Sequence, residues 1–132
     1  MIGIVIVSHN EKLGDEIINL CKEMQNKPFK ILNGGGMDDG AFGSNPMVIK
    51  KSIEEAYEKD GVLIFCDLGS SILNSEMAIE FIEDDKFNKD LIKIADAPIV
   101  EGAILAVSMN DDDINIGDIQ EELEDLKSFK KV

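Results

Sequence analysis

The sequence predicts a doubly wound α/β domain built on a mainly parallel sheet. Nearly continuous apolar runs at Ile2–Val7 and Gly61–Cys66 have the pattern of strands covered on both faces. Amphipathic helical segments alternate with them, which implies right-handed crossovers between parallel strands. At 132 residues and 44% hydrophobic content, residues 1–132 make one domain with a core of its own. No internal repeat or linker divides it.

The elements follow in order. After the first strand, Glu11–Met24 has helical spacing, with Leu13, Ile17, Leu20, Cys21 and Met24 on one side. Pro28 closes the connection and Phe29–Leu32 gives a short second strand. Asn33–Ser44 holds Gly34, Gly35, Gly36, Gly40 and Gly43 and is therefore a loop. Asn45 then Pro46 is a cap followed by a first-turn proline, opening a second helix whose inner face is Val48, Ile49, Ser52, Ile53 and Ala56. Beyond the third strand, Asp67–Ser70 turns the chain into a helix over Ser71–Ile82, with Leu73, Met77 and Phe81 inward. Leu91–Ala95 is a weaker fourth strand, and Ile99–Met109 fits a buried helix. After the acidic turn at Asp111–Asp113, Ile116, Ile119, Leu123 and Leu126 form the stripe of a last helix.

Thirteen basic and twenty-seven acidic residues give a formal net charge of −14. That balance argues against nucleic acid or an anionic membrane surface as partner, because both need a basic footprint. No window approaches the roughly 18 apolar residues of a membrane span, and Met1-Ile2 leads straight into a strand without a basic leader. Cys21 and Cys66 are 45 residues apart and fit no metal or redox motif, so both are expected as buried, reduced thiols of a cytoplasmic protein.

In an open parallel sheet, ligands bind beyond the carboxyl ends of the strands, where strand order reverses. Three polar segments fall at such ends: Ser8-His9-Asn10, Gly34–Ser44 and Asp67–Ser71. If strands 2, 1 and 3 are neighbours, all three meet around His9, the only histidine. Histidine can act as a neutral nucleophile near physiological pH. Asp67 can accept a ring N–H, fix the tautomer and stabilise the charge that follows attack. The phosphoryl-accepting nitrogen would then most simply be Nε2. Gly69, Ser70 and Ser71 start a helix, where free N–H groups and the dipole suit an anion, and Gly43 with Ser44 offers a second cradle. Together these groups suit phosphoryl transfer through a phosphohistidine. A turn residue after a strand and two ordinary helix caps would leave the same spacing, and the residues alone do not separate the two readings.

Other chemistries fit less well. The chain lacks G-x-x-x-x-G-K-[ST], and Asp39 stands where a dinucleotide fingerprint needs its third glycine. One histidine and two distant cysteines do not make a zinc site, and a polar turn accounts for Asp38 and Asp39, so no metal or cofactor is expected. A receiver domain would place an aspartate at Asp67 but needs an acidic pair where this chain has Ser-His-Asn.

The segments GIVIVSHNEKLGDEI at 3–17, GGGMDDGAFGSN at 34–45, DGVLIFCDLGSSILNSEMAIE at 60–80 and DAPIVEGAILAVSMN at 96–110 share a family pattern in order and spacing. Through them the chain resembles the mannose-type IIA group of the bacterial sugar phosphotransferase system, and within it the DhaM phosphotransferase subunits of dihydroxyacetone kinase. The resemblance implies a four-stranded parallel sheet of order 2-1-3-4 in a homodimer. It implies that His9 accepts a phosphoryl group from the phosphocarrier HPr and passes it to ADP held on a second kinase subunit. Asp67 corresponds to the acid partnering the histidine, and Gly43, Ser44, Gly69 and Ser70 to the loops around the phosphoryl group. Asn45 and Ser71 depart from the pattern, which usually has GTS at 43–45 and a small apolar residue at 71. The alternatives are a IIA component feeding the IIB protein of a sugar transporter, and a non-catalytic binding module of the same fold.

Overall fold

The computed structural model describes residues 1–132 as a four-stranded parallel sheet in the order β2-β1-β3-β4. The strands are β1 (Gly3–Val7), β2 (Ile31–Asn33), β3 (Val62–Cys66) and β4 (Ile92–Ile94). Every residue of β1 and β3 is buried, and alternate side chains serve opposite faces of the sheet. Ile4, Ile6, Leu63 and Phe65 pack with helices α1 (Glu11–Lys22), α4 (Ile99–Met109) and α5 (Ile116–Asp125). Val5, Val7, Val62 and Ile64 pack with α2 (Pro46–Ala56) and α3 (Gly69–Glu80). The doubly wound architecture and strand order expected from the sequence are both present.

Pairing of Val7 with Cys66 ends the two central strands level with each other. Ser8-His9 and Asp67 therefore leave the sheet side by side, at the point where the order reverses. Two glycines permit close approaches that this arrangement needs. A Cβ on Gly3 would lie 1.7 Å from the Ala56 carbonyl oxygen, so only glycine lets the end of α2 cross the start of β1. A Cβ on Gly35 would lie 2.4 Å from the Ser8 carbonyl oxygen, so glycine also brings the loop after β2 against the end of β1.

Helices α1, α2, α4 and α5 largely follow their predicted spans, and both cysteines are buried. The inner faces of two helices differ from expectation. In α1 the buried side is Gly14, Ile17, Ile18 and Cys21, whereas Leu13, Leu20 and Met24 are exposed. In α3 the predicted inward residues face out: Leu73 is 65% exposed, Met77 43% and Phe81 44%. Its buried side is Ser71, Ser75 and Ala78. This helix also begins two residues earlier than predicted, at Gly69. The buried Ser71 hydroxyl bonds to Asp67, and the Ser75 hydroxyl lies 3.4 Å from the Cys66 sulfur. Small polar residues suit that side because they reach the end of β3 and find partners there.

Candidate active site

Five hydrogen-bond donors converge on the Asp67 carboxylate. Oδ2 accepts from the Ser8 hydroxyl at 2.9 Å and the His9 N–H at 3.0 Å. Oδ1 accepts from the Leu68 N–H at 2.7 Å, the Ser71 hydroxyl at 3.0 Å and the His9 ring at Nδ1, also 3.0 Å. Burial works against the charged form, but the bonds from the His9 side chain and backbone, Leu68 and Ser8 outweigh it. They hold the carboxyl at about 2, below its ordinary 3.8. A carboxylate can only accept hydrogen bonds, so Nδ1 carries the proton.

The consequence for the ring is specific. With Nδ1–H turned to Asp67, Nε2 holds the free lone pair, and the Ser70 hydroxyl donates to it. His9 is thus in the tautomer that leaves Nε2 unprotonated. It sits at the amino end of α3, where the Gly69 and Ser70 N–H groups make no hydrogen bond within the protein. No atom lies within 4 Å of where a Cβ on Gly69 would stand, so a ligand can approach that backbone closely. Unpaired helix N–H groups and the dipole favour an arriving anion there.

The loop after β2 closes the other side. Gly43 donates its N–H to the His9 carbonyl at 2.7 Å, fastening the loop to the histidine. Its φ of +132° is a conformation that favours glycine. That N–H is occupied by His9 and is not free for a ligand, whereas the Ser44 hydroxyl is a polar group the loop can still offer. Asn45 caps α2 through the Met47 N–H at 2.8 Å, with Pro46 in the first turn. Asn45, found where the family pattern usually has serine, therefore still performs a cap.

All six residues singled out from the sequence, His9, Asp67, Gly43, Ser44, Gly69 and Ser70, lie at this sheet edge. The Ser8 hydroxyl was missed as a partner of Asp67. It is fully buried and also accepts from the Asn10 N–H at 3.1 Å, fixing the turn that carries His9. Asn74 was missed as well; it donates to the hydroxyl of Ser44 at 2.6 Å. Its place four residues after Ser70 is the signal that was available. Cys66 adjoins Asp67, but burial pushes its thiol up to about 11, which keeps it protonated at neutral pH. His9 does not line the hollow beside Glu80–Asp90, the one between Glu11, Asn33 and Met47, or the one between Leu91 and Asn115. The His9 side chain is 26% exposed, so the site opens to solvent at the sheet edge.

A family model, EIIA-man, described as the PTS system fructose IIA component, matches residues 3–121. The chain belongs to this family. Among curated proteins, this EIIA-man chain is 38% identical over 106 residues to phosphoryl donor subunit DhaM of PEP-dependent dihydroxyacetone kinase 2 from Listeria innocua, covering 80% of this chain and 83% of that one. It is 30% identical to the phosphotransferase subunit DhaM of the PTS-dependent dihydroxyacetone kinase from Lactococcus lactis, covering 94% of each. The DhaM of Providencia stuartii is longer: the match takes in 99% of this chain but 28% of that protein, at 31% identity. A solved crystal structure of a protein of unknown function, EF1359, superposes with a TM-score of 0.78 at 36% identity, covering 94% of both chains. These relatives support a phosphotransfer role in dihydroxyacetone kinase. No helix is long and apolar enough to cross a membrane.

Proposed function

We propose that this chain is a phosphohistidine relay. It takes a phosphoryl group from phospho-HPr onto His9 and delivers it to ADP held by the nucleotide-binding subunit of a dihydroxyacetone kinase. One observation carries the reading: the Nδ1–H of His9 is committed to Asp67 at 3.0 Å, which leaves the Nε2 lone pair at the amino end of α3.

In the first step the Nε2 lone pair attacks the phosphorus of the donor's phosphohistidine. The new N–P bond forms as the old one breaks, and its electron pair returns to the donor's imidazole. Nδ1 keeps its proton, so the ring of phospho-His9 carries positive charge, which the Asp67 carboxylate stabilises. The Gly69 and Ser70 N–H groups and the hydroxyls of Ser70 and Ser44 are the donors available to the phosphoryl oxygens, with Gly43 holding the loop in place. In the second step a β-phosphate oxygen of ADP attacks the phosphorus, the N–P bond breaks, and Nε2 regains its lone pair. Nothing is oxidised, and no proton need leave the ring.

The partly exposed His9 at the sheet edge is accessible to a donor and an acceptor that are proteins. Exposed Phe42, Leu68 and Leu73 flank the site on a chain of net charge −14, which suits a partner with apolar and basic groups. The homodimer implied by the family resemblance belongs to the same proposal, and sedimentation of the purified chain tests it.

Incubation with labelled phosphoenolpyruvate, enzyme I and HPr should place one acid-labile phosphoryl group on each chain. Labelling of His9→Ala at the wild-type level would sink the assignment. Offering the labelled protein either the ADP-loaded kinase subunit or a transporter IIB protein identifies the acceptor. Loss of label to IIB alone would overturn the kinase reading.

A further inference from the structure

The Ser44 hydroxyl has a single proton, and a phosphoryl oxygen gains a hydrogen bond from it only if that proton points outward. Asn74, on the second turn of α3, decides this. Its Nδ2 lies 2.6 Å from Ser44 Oγ and 3.3 Å from the Ser44 carbonyl oxygen. A carbonyl oxygen can only accept, so the contact identifies the amide face turned to Ser44 as the nitrogen, which can only donate. Ser44 Oγ is therefore an acceptor toward Asn74, and its proton lies elsewhere. No other group in the protein accepts it. Ser70 and Asn74 are four residues apart on α3 and so share a face, and Ser70 is bonded to His9 Nε2. The loop carrying Ser44 is fastened to the His9 carbonyl through Gly43. The Ser44 hydroxyl thus stands on the flank of α3 that faces the reacting nitrogen.

We infer that Asn74 is a positioning residue for phosphoryl transfer, which by donating to Ser44 Oγ holds that hydroxyl as a donor toward the phosphoryl group. The inference rests on the relay reading above. Asn74 itself touches no reacting atom. Without it, the Ser44 hydroxyl rotates freely and gives up its directed bond.

A double-mutant cycle on the full chain tests this, with the rate of His9 labelling followed for wild type, Asn74→Ala, Ser44→Ala and the double variant. Two donors are used in parallel: phospho-HPr, and phosphoramidate as a small chemical donor that needs no protein partner. Each single change should slow labelling about three- to ten-fold, the range one directed hydrogen bond supplies. The double variant should be no slower than Ser44→Ala alone, and the effect should fall on kcat with KM for HPr unchanged. Multiplying effects would mean that Asn74 acts through the loop backbone, and Asn74→Ala at wild-type rate would mean that it does not act; either overturns the inference. If wild type accepts from phosphoramidate but not from HPr, the relay reading fails while the cycle still scores Asn74. Labelling of His9 by neither donor overturns both.

Discussion

Of the five donors that meet on Asp67, only one is the ring it orients; the other four hold the carboxylate in place. Asp67→Asn keeps the shape but replaces one acceptor with an amide donor. His9 then loses the partner that selects its Nδ1–H tautomer, and transfer from HPr should fall by about 100-fold or more, as when a triad aspartate is made an amide. Stability should respond in a defined pH window. The folded carboxyl titrates at about 2 against an ordinary 3.8, so its contribution is full above the ordinary value and is lost as pH falls through 2. The gap in Tm between wild type and Asp67→Asn should be open at neutral pH and close across that interval. A gap independent of pH would contradict the depressed value. His9 and Asp67 were legible in the sequence because both stand at the ends of apolar runs, where a doubly wound fold must place its ligands. Ser8 and Asn74 were not, because a serine or an asparagine has the same appearance whether it caps a turn or aims a proton.

Helix α3 turns its larger apolar side chains outward and its small ones inward. Periodicity identified the helix but not its orientation. The alternation of Leu73, Met77 and Phe81 with Ser71, Ser75 and Ala78 gives two stripes at helical spacing, and hydrophobicity favours the wrong one. What decides between them is distance: only a small-residue face can come close enough to β3 for Ser71 to reach Asp67. That proximity is a tertiary fact with no local signature. The same misassignment in α1, at Leu13, Leu20 and Met24, concerns a helix whose inner face includes Gly14, beneath the Asn33 side chain. Substitutions should separate the two stripes of α3. Leu73→Ser should leave unfolding free energy within about 0.5 kcal/mol of wild type, because its side chain is already in water. It should nevertheless raise KM for HPr if the outward stripe meets the partner. Ala78→Leu puts three extra carbons where nothing is accessible and should cost about 1–3 kcal/mol. Chemical denaturation reads both.

At the scale of the whole molecule, one buried amide joins the beginning of the sheet to the end of α4. Asn110 accepts from the Ile2 N–H at 2.9 Å and donates to the Ile2 carbonyl at 2.7 Å. Asn110→Ala orphans both backbone groups in the interior and should destabilise the fold by about 1–3 kcal/mol, with phosphotransfer at permissive temperature unchanged. The overall topology was the most legible level of all, since alternating strands and helices admit few arrangements. Lengths and edges were less so: β2 has three residues and lies further along the chain than its apolar run suggested, because pairing with β1 sets its register. The hub at Asp67 has a last consequence, which belongs to time rather than geometry. The His9 and Leu68 amides are loop amides, a class that ordinarily trades its protons with solvent quickly. Here both are bonded to a carboxylate that is tied in turn to β1, β3 and α3. In deuterated water they should exchange as slowly as the interior amides of β1 and β3, far behind those of Gly69 and Ser70. Rapid exchange at His9 and Leu68 would mean that the site assembles only when a partner arrives; slow exchange means that it waits already built.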